Sequence, residues 1–311
     1  MKSERLSFAI ATLIASLAVT IPLAAQHTRY KLIDIATLGG PSSYFSGFGQ
    51  GEQLLNNAGI VAGSPDTSTP DPNAPNCSNP DCFVSHAFRW QNGVLTDVGT
   101  LQGVNGDLIS VANSVNARGW IAGSWDTGGI DPLTGFPATH AVLWRDAEIT
   151  DLGTLGTGIE SNAAYVNNGG QVVGLSTINT VPDPFSFLGA ATHTFIWKNG
   201  VKRDLGTLGG PDSFPSVGCT NEHEGLVAGQ SFTNSTPNAT TGMPTQDPFL
   251  WENGIMTVPC RFVTKGGDRE IRKIDVDRLH SCPTRGDGAD DSPGRAAHPV
   301  PAHRVGHFGR A

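Results

Sequence analysis

The feature of this sequence that most constrains its fold is an internal repeat of about 53 residues. Four similar five-residue segments each end in tryptophan, and these tryptophans are spaced by 54, 53 and 54 residues. A near-constant period of this size is typical of proteins built from stacked copies of one small structural unit. The four segments, here named Trp motifs, are HAFRW (86–90), HAVLW (140–144), HTFIW (193–197) and DPFLW (247–251), ending in Trp90, Trp144, Trp197 and Trp251.

Two further motifs recur in a fixed order with the Trp motif. The Asp motif follows it, and the Gly-Ser motif closes each unit before the next Trp motif. Three ordered motifs at one period make the repeat the main organising feature of the chain. The Asp motifs are DVGTL (97–101), DLGTL (151–155) and DLGTL (204–208), with a related DIATL at 34–38, and the Gly-Ser motifs are IVAGS (60–64), WIAGS (120–124), VVGLS (172–176) and LVAGQS (226–231).

Each unit has the pattern of about four short strands. Phe195 and Trp197 alternate with Ile196, which places them on opposite sides of a strand, and Asn199-Gly200 is a typical hairpin turn. The chain has 39 Gly and 21 Pro but only 15% charged residues, a balance that favours short strands and turns. The sequence therefore predicts an all-β, β-propeller-like array of four-stranded antiparallel blades.

Such blades must stack, because one sheet alone leaves both of its apolar faces exposed. We expect the Phe and Trp of one sheet to pack against the Val and Ile of the next. Polar, proline-containing stretches fall at the same point of every unit and should emerge on one face, which is the candidate binding surface. These stretches are 64–82, 126–138, 177–191 and 232–247.

The three motifs, in this order, resemble the HAF repeat family of bacterial extracellular proteins, named for residues such as those at 86–88. The resemblance covers residues of about 30 to 256. It implies export and a repeat scaffold, and it supplies no substrate and no catalytic residues.

The first 25 residues have the pattern of a secretory signal peptide. Lys2 and Arg5 precede an apolar run that ends at Ala24-Ala25. Cleavage would make the mature chain secreted or periplasmic, with no stable membrane insertion, whereas an uncleaved segment would act as an anchor. The repeat domain is then 26–257, where 8 Lys and Arg face 20 Asp and Glu, so we expect it to repel nucleic acid.

Histidine and aspartate recur once per unit, and we assign both a structural role. Metal ligands must converge on one ion, whereas equivalent residues of different blades lie apart. We expect each histidine to bond the aspartate of the following strand, and each aspartate to accept N–H groups at its turn. Calcium at the aspartates is the alternative that stays open. The residues are His86, His140, His193, Asp97, Asp151 and Asp204.

Five cysteines are present, and Cys77 and Cys82 lie in one polar loop. In an oxidising compartment we expect this pair to form a disulfide, with two free thiols as the alternative. No nucleophile, phosphate-loop or zinc-protease motif occurs in the sequence, so we expect no enzyme activity and no cofactor.

The repeat stops after Met256-Thr257, in mid-unit. Residues 258–311 carry 10 of the 20 Lys and Arg, which suggests a frameshifted or disordered tail, or else a basic tail for an acidic partner. The predicted function is a monomeric, exported, non-enzymatic scaffold that binds a cell-envelope or extracellular glycan or protein through its loops. The alternatives are a secreted hydrolase whose active site lies in a missing C-terminal part, and a decayed gene product.

Overall fold

The computed structural model describes residues 30–45, 53–77, 79–101, 108–186, 188–220 and 225–259. The described residues form strands and no helix, so the all-β prediction is confirmed. The strands are β1 (Gly39–Tyr44), β2 (Val61–Pro70), β3 (Phe83–Ser85), β4 (Phe88–Gln91), β5 (Val94–Asp97), β6 (Ser110–Val115), β7 (Ile121–Ile130), β8 (Pro137–Arg145), β9 (Glu148–Gly153), β10 (Ser161–Val166), β11 (Val172–Pro182), β12 (Ala190–Lys198), β13 (Val201–Asp204), β14 (Ser213–Thr220), β15 (Leu226–Pro237), β16 (Pro244–Glu252) and β17 (Ile255–Thr257).

These strands make four antiparallel sheets, each a simple meander in chain order. The second, third and fourth sheets contain β6–β9, β10–β13 and β14–β17, four strands each as the repeat predicts. The first sheet contains β1–β5 because its third strand is interrupted at His86-Ala87, so that β3 and β4 both pair with β2.

The second strand of each sheet is longer than the sequence indicates. β7 runs to Ile130 and β15 to Pro237, well into stretches that we expected to be loops. The extension of β15 is rich in Thr and Ser, which are compatible with strands. In both β7 and β15, a register shift near the end of the pairing accommodates the irregular residues. The connecting loops are therefore shorter than predicted, at 71–82, 131–136, 183–189 and 238–243.

The sheets stack in chain order, with one apolar cluster at each junction. Phe195 and Trp197 of the third sheet pack with Leu143 and Leu152 of the second. Ile196 points the other way, into the cluster that contains Phe249 and Trp251 of the fourth sheet. The Phe and Trp side chains thus pack against the preceding sheet, and our expectation that they face the next sheet was wrong in direction.

The glycine of the Gly-Ser motif makes room for the aromatic ring on the neighbouring strand. Gly174 pairs with Phe195, and a Cβ atom on Gly174 would lie 2.7 Å from that ring. Gly229 is related to Phe249 in the same way, with a distance of 2.5 Å. A larger residue at either position would displace a fully buried ring, so the glycine is a packing requirement.

The segments at both ends of the chain lie outside the described residues. These are the predicted signal peptide (1–25) and the tail from residue 260 onward, including Cys260 and Cys282. By its contacts the chain divides into Met1–Thr257 and Val258–Ala311. Within the described ranges, no helix has the length and apolar character that a bilayer crossing needs.

Candidate functional site

Each of the three repeated histidines lies beside the aspartate of the following strand. The distance from Nδ1 of His86 to Oδ2 of Asp97 is 2.9 Å, and the distance from His193 to Asp204 is the same. The antiparallel register explains the contact, because Asp204 lies opposite Phe195, two residues after the histidine. The third pair is His140 with Asp151, at 3.0 Å.

The same aspartates also hold the turn that follows them. Oδ1 of Asp151 accepts the N–H of Gly153 at 2.7 Å, and Gly153 has a φ of 62°. Burial acts to raise the pKa of Asp151, but the hydrogen bonds from His140 and Gly153 outweigh burial and hold the pKa below its usual value. The pKa of Asp204 is lowered by the equivalent bonds. Each carboxylate therefore joins a strand to a turn.

The structure does not bring the three pairs together. Each pair lies within its own sheet, where the histidine and aspartate come from adjacent strands. Across the described ranges, no group of three His, Cys, Asp or Glu side chains is placed to hold a metal ion. Each pair links two adjacent strands of its own sheet, and the three pairs form no shared site.

The repeated tryptophans are core residues. Trp144, Trp197 and Trp251 are buried at the sheet junctions, and Trp90 is half-buried. Nε1 of Trp144 donates a hydrogen bond of 3.1 Å to the carbonyl oxygen of Gly99 in the preceding sheet. The ring thus contributes both apolar area and a polar contact to the junction.

Cys77 and Cys82 form a disulfide, with their Cα atoms 5.3 Å apart. The bridge closes the 71–82 loop of the first sheet, which also contains a cis peptide bond before Pro75. The loop is further held by a bond of 2.8 Å from the Asp71 N–H to the carbonyl oxygen of Cys82. This is the longest of the loops that join second and third strands.

A series of buried asparagines, which the sequence analysis did not single out, links the sheets. Oδ1 of Asn116 accepts the N–H groups of Arg118 and Trp120, which shapes the turn before β7. Its Nδ2 donates a hydrogen bond of 2.9 Å to the carbonyl oxygen of Asn167, the equivalent residue of the third sheet. Asn56 of the first sheet donates to Asn116 in the same way, at 2.7 Å. The signal available in the sequence was the recurrence of Asn five residues before the start of the second strand.

Buried carboxyl groups at the sheet junctions were also missed. Oε2 of Glu160 accepts the N–H and the hydroxyl of Thr139 in the preceding sheet, at 2.9 and 2.8 Å. Burial, aided by the charge of Asp131, raises the pKa of Glu160 to about 7. Asp212 occupies the same place one unit later, accepting the N–H of Thr192, and burial raises its pKa to about 6. Both residues directly precede the serine that begins the first strand of a sheet, and this acidic residue before Ser is a signal that the sequence contains.

Lys202 of β13 is the cationic counterpart of these groups. Its Nζ lies 3.8 Å from the centroid of the Phe195 ring and donates to the carbonyl oxygen of Gly153 in the second sheet. Burial lowers the pKa of Lys202 to about 7, against the opposing charge of Asp151. The hydrogen bond from Lys202 to Gly153 thus links the third sheet to the second.

One pocket, of about 550 Å³, opens between the loops of the third and fourth sheets, and this volume is typical of ligand sites. Phe214 and Phe232 meet edge to face in its wall, with ring centroids 6.0 Å apart. The described lining contains no charged side chain. It combines aromatic rings with amides and hydroxyls, including Phe185, Phe214, Phe232, Asn238, Thr241 and Gln246.

Comparisons of this chain with protein-family models, with curated proteins and with solved structures find no match. Its function is therefore inferred from its own residues. Two arrangements stand out among them. One is the set of buried hydrogen bonds between successive sheets, and the other is the uncharged pocket beside the loops.

Proposed function

We propose that this chain is an exported, non-enzymatic scaffold of propeller-like stacked sheets. It binds a cell-envelope or extracellular glycan, or a protein, through the loops that join the second and third strands of its sheets. The observation that carries the proposal is the uncharged pocket between loops 183–189 and 238–243. The repeat and its resemblance to the HAF family support the scaffold and the export.

The chemistry of the pocket favours a neutral glycan over a charged ligand. A sugar ring presents C–H groups on its faces and hydroxyls at its rim. Phe185 and Phe214 offer apolar ring surfaces for those faces. Asn238, Thr241 and Gln246 supply donors and acceptors for the hydroxyls. A charged ligand would lose its hydration here without gaining an ion pair.

The repetition of the loops is suited to an extended ligand. Gly189 lies close to Leu133 and Thr134, since an added Cβ would be 3.2 Å from each, so the loops of the second and third sheets adjoin. Phe185, from the same loop as Gly189, reaches the pocket beside the fourth sheet. Successive loops therefore form a continuous surface along which a polymer could lie.

The test is native-gel affinity electrophoresis of the full chain through neutral polysaccharides (xylan, dextran, soluble β-glucan) and acidic ones (alginate, polygalacturonate). We expect a neutral polysaccharide to retard the protein, and Phe185→Ala to weaken this binding at least tenfold. Ile255→Ala is the control, because Ile255 is an exposed apolar residue next to the turn between β16 and β17, at the other end of β16 from loop 238–243, and it does not line the pocket.

Retardation by acidic polysaccharides alone would contradict the proposal, as would an equal effect of the two substitutions. Release of reducing sugar from a retarding polysaccharide would contradict the non-enzymatic part of the proposal.

A further inference from the structure

The segment Asp34–Ser43 has the same turn geometry as the Asp motifs of the complete units. Oδ1 of Asp34 accepts the N–H of Ala36 at 2.9 Å, as Asp204 does from Gly206 at 2.7 Å. Ala36 has a φ of 69° and Gly206 a φ of 73°. A non-glycine residue in this left-handed conformation is strained, so the surrounding contacts must impose it.

The bonds that follow the turn match as well. Thr37 Oγ1 donates to the carbonyl oxygen of Gly40 at 2.8 Å, and Ser43 Oγ donates to that of Ala36 at 2.7 Å. The equivalent bonds of the third unit are Thr207 to Gly210 and Ser213 to Gly206, with the same two distances. Residues 34–43 are therefore a complete copy of the link between the last strand of one sheet and the first strand of the next, as between β13 and β14.

What this copy lacks among the described residues is the strand beside it. In the complete units, residues just before the aspartate form an outer strand paired with a Trp-motif strand. Residues 30–37 belong to no strand, and no described histidine bonds Asp34. Tyr30 and Leu32 are 91% and 93% exposed, whereas Ile149, at the position of Leu32 in the second sheet, packs against an apolar cluster.

The fourth sheet does not supply the missing strand. The outer edge of β16 is already paired with β17. Asp247 of β16 also occupies the position of the repeated histidine, since it pairs with Ser231 as His193 pairs with Ser176. Pairing with Asp34 would therefore bring two carboxylates together, which is unfavourable.

We propose that residues 31–34 are a docking strand, which adds in antiparallel register to an extended segment of another polypeptide that carries the pattern His-x-Phe-x-Trp. The register of β12 with β13 fixes the geometry: Asp34 would lie opposite the Phe, and Leu32 opposite the Trp. The histidine of the incoming segment would bond Asp34, as His193 bonds Asp204. Backbone hydrogen bonds provide affinity in this mode, and the His-Asp contact provides selectivity.

The experiment uses the full chain and a fluorescent peptide with the sequence of residues 190–198, AATHTFIWK, followed by anisotropy. We expect saturable binding that Asp34→Ala weakens at least tenfold. A peptide with His193→Ala should bind the unchanged protein equally weakly. The two changes together should weaken binding no further than either alone, because each removes the same contact. Glu148→Ala, at an exposed acidic residue of β9, is the control variant and should leave binding unchanged.

The site is located by placing a photoreactive group at the Ile196 position of the peptide and mapping the cross-links by mass spectrometry. Cross-links to Ile33 and its neighbours support the docking strand. Cross-links to β5 or β17, additive effects of the two substitutions, or no binding would overturn it. Concentration-dependent self-association that Asp34→Ala abolishes would identify a second copy as the occupant, and would overturn the proposed partner.

Discussion

Replacing Glu160 by glutamine tests whether the buried carboxyl groups at the sheet junctions oppose folding at neutral pH. The substitution keeps an oxygen that accepts the two hydrogen bonds from Thr139, and it removes only the ability to ionise. Burial raises the pKa of Glu160 from 4.5 to about 7, so the folded protein holds this proton more tightly than the unfolded chain does. The stability that comes from the neutral form is present at low pH and is lost as the pH rises from 4.5 through 7.

The size of the effect follows from this displacement of the pKa. Each pKa unit corresponds to about 1.4 kcal/mol, so ionising Glu160 should cost the folded state about 3 kcal/mol at pH 8. At pH 5 the cost should be below about 1 kcal/mol, because the carboxyl group is then largely neutral in the folded protein. Glu160→Gln should therefore be more stable than the parent at pH 8, and this advantage should nearly disappear at pH 5.

The assay is urea unfolding of both proteins between pH 5 and pH 8, followed by tryptophan fluorescence. The difference between the two proteins isolates Glu160 from Asp212 and Lys202, whose pKa values are also displaced toward neutrality. Glu148→Gln, an exposed glutamate of β9, is the control and should show no pH-dependent gain. A stability difference that is independent of pH would refute the reasoning.

Three other predictions concern the ties within and between sheets. Asn116→Ala removes buried hydrogen bonds and should lower the free energy of unfolding by about 2 to 4 kcal/mol, whereas the exposed Asn57→Ala should cost below about 0.5 kcal/mol in the same urea titration. His140→Ala should lower the free energy of unfolding by about 1 kcal/mol, because the His140–Asp151 pair is partly exposed. Retardation of this variant by polysaccharide should stay unchanged. Lost retardation at unchanged stability would contradict the structural role of His140. Cys77→Ser with Cys82→Ser should lower stability by about 2 kcal/mol, and dithiothreitol should bring the parent to the same value.

The local part of this structure could be predicted from the sequence because it follows from contacts within one unit. The 11-residue spacing of His193 and Asp204, on either side of an Asn-Gly turn, sets the register of two adjacent strands. Alternation separates Ile196 from its neighbours and places them in different clusters. These are short-range consequences of strand geometry.

The contacts between units could not be predicted, because they depend on how one sheet docks on the next. Asn116 and Asn167 are 51 residues apart, and the sequence identifies each only as a turn residue. Glu160 resembles a surface carboxylate in the sequence and is buried only because the preceding sheet covers it. The direction in which Trp197 packs likewise depends on the twist between neighbouring sheets.

The asparagine series has a consequence for how the protein folds and how its length can change. Asn56 and Asn116 each use Oδ1 within their own turn and Nδ2 on the next sheet, so this coupling passes between nearest neighbours. Stability then behaves as that of a one-dimensional chain of linked units, in which an internal unit gains two junctions and a terminal unit only one. A gene could therefore gain or lose a whole unit without redesigning the others, and unfolding should begin at the ends of the array.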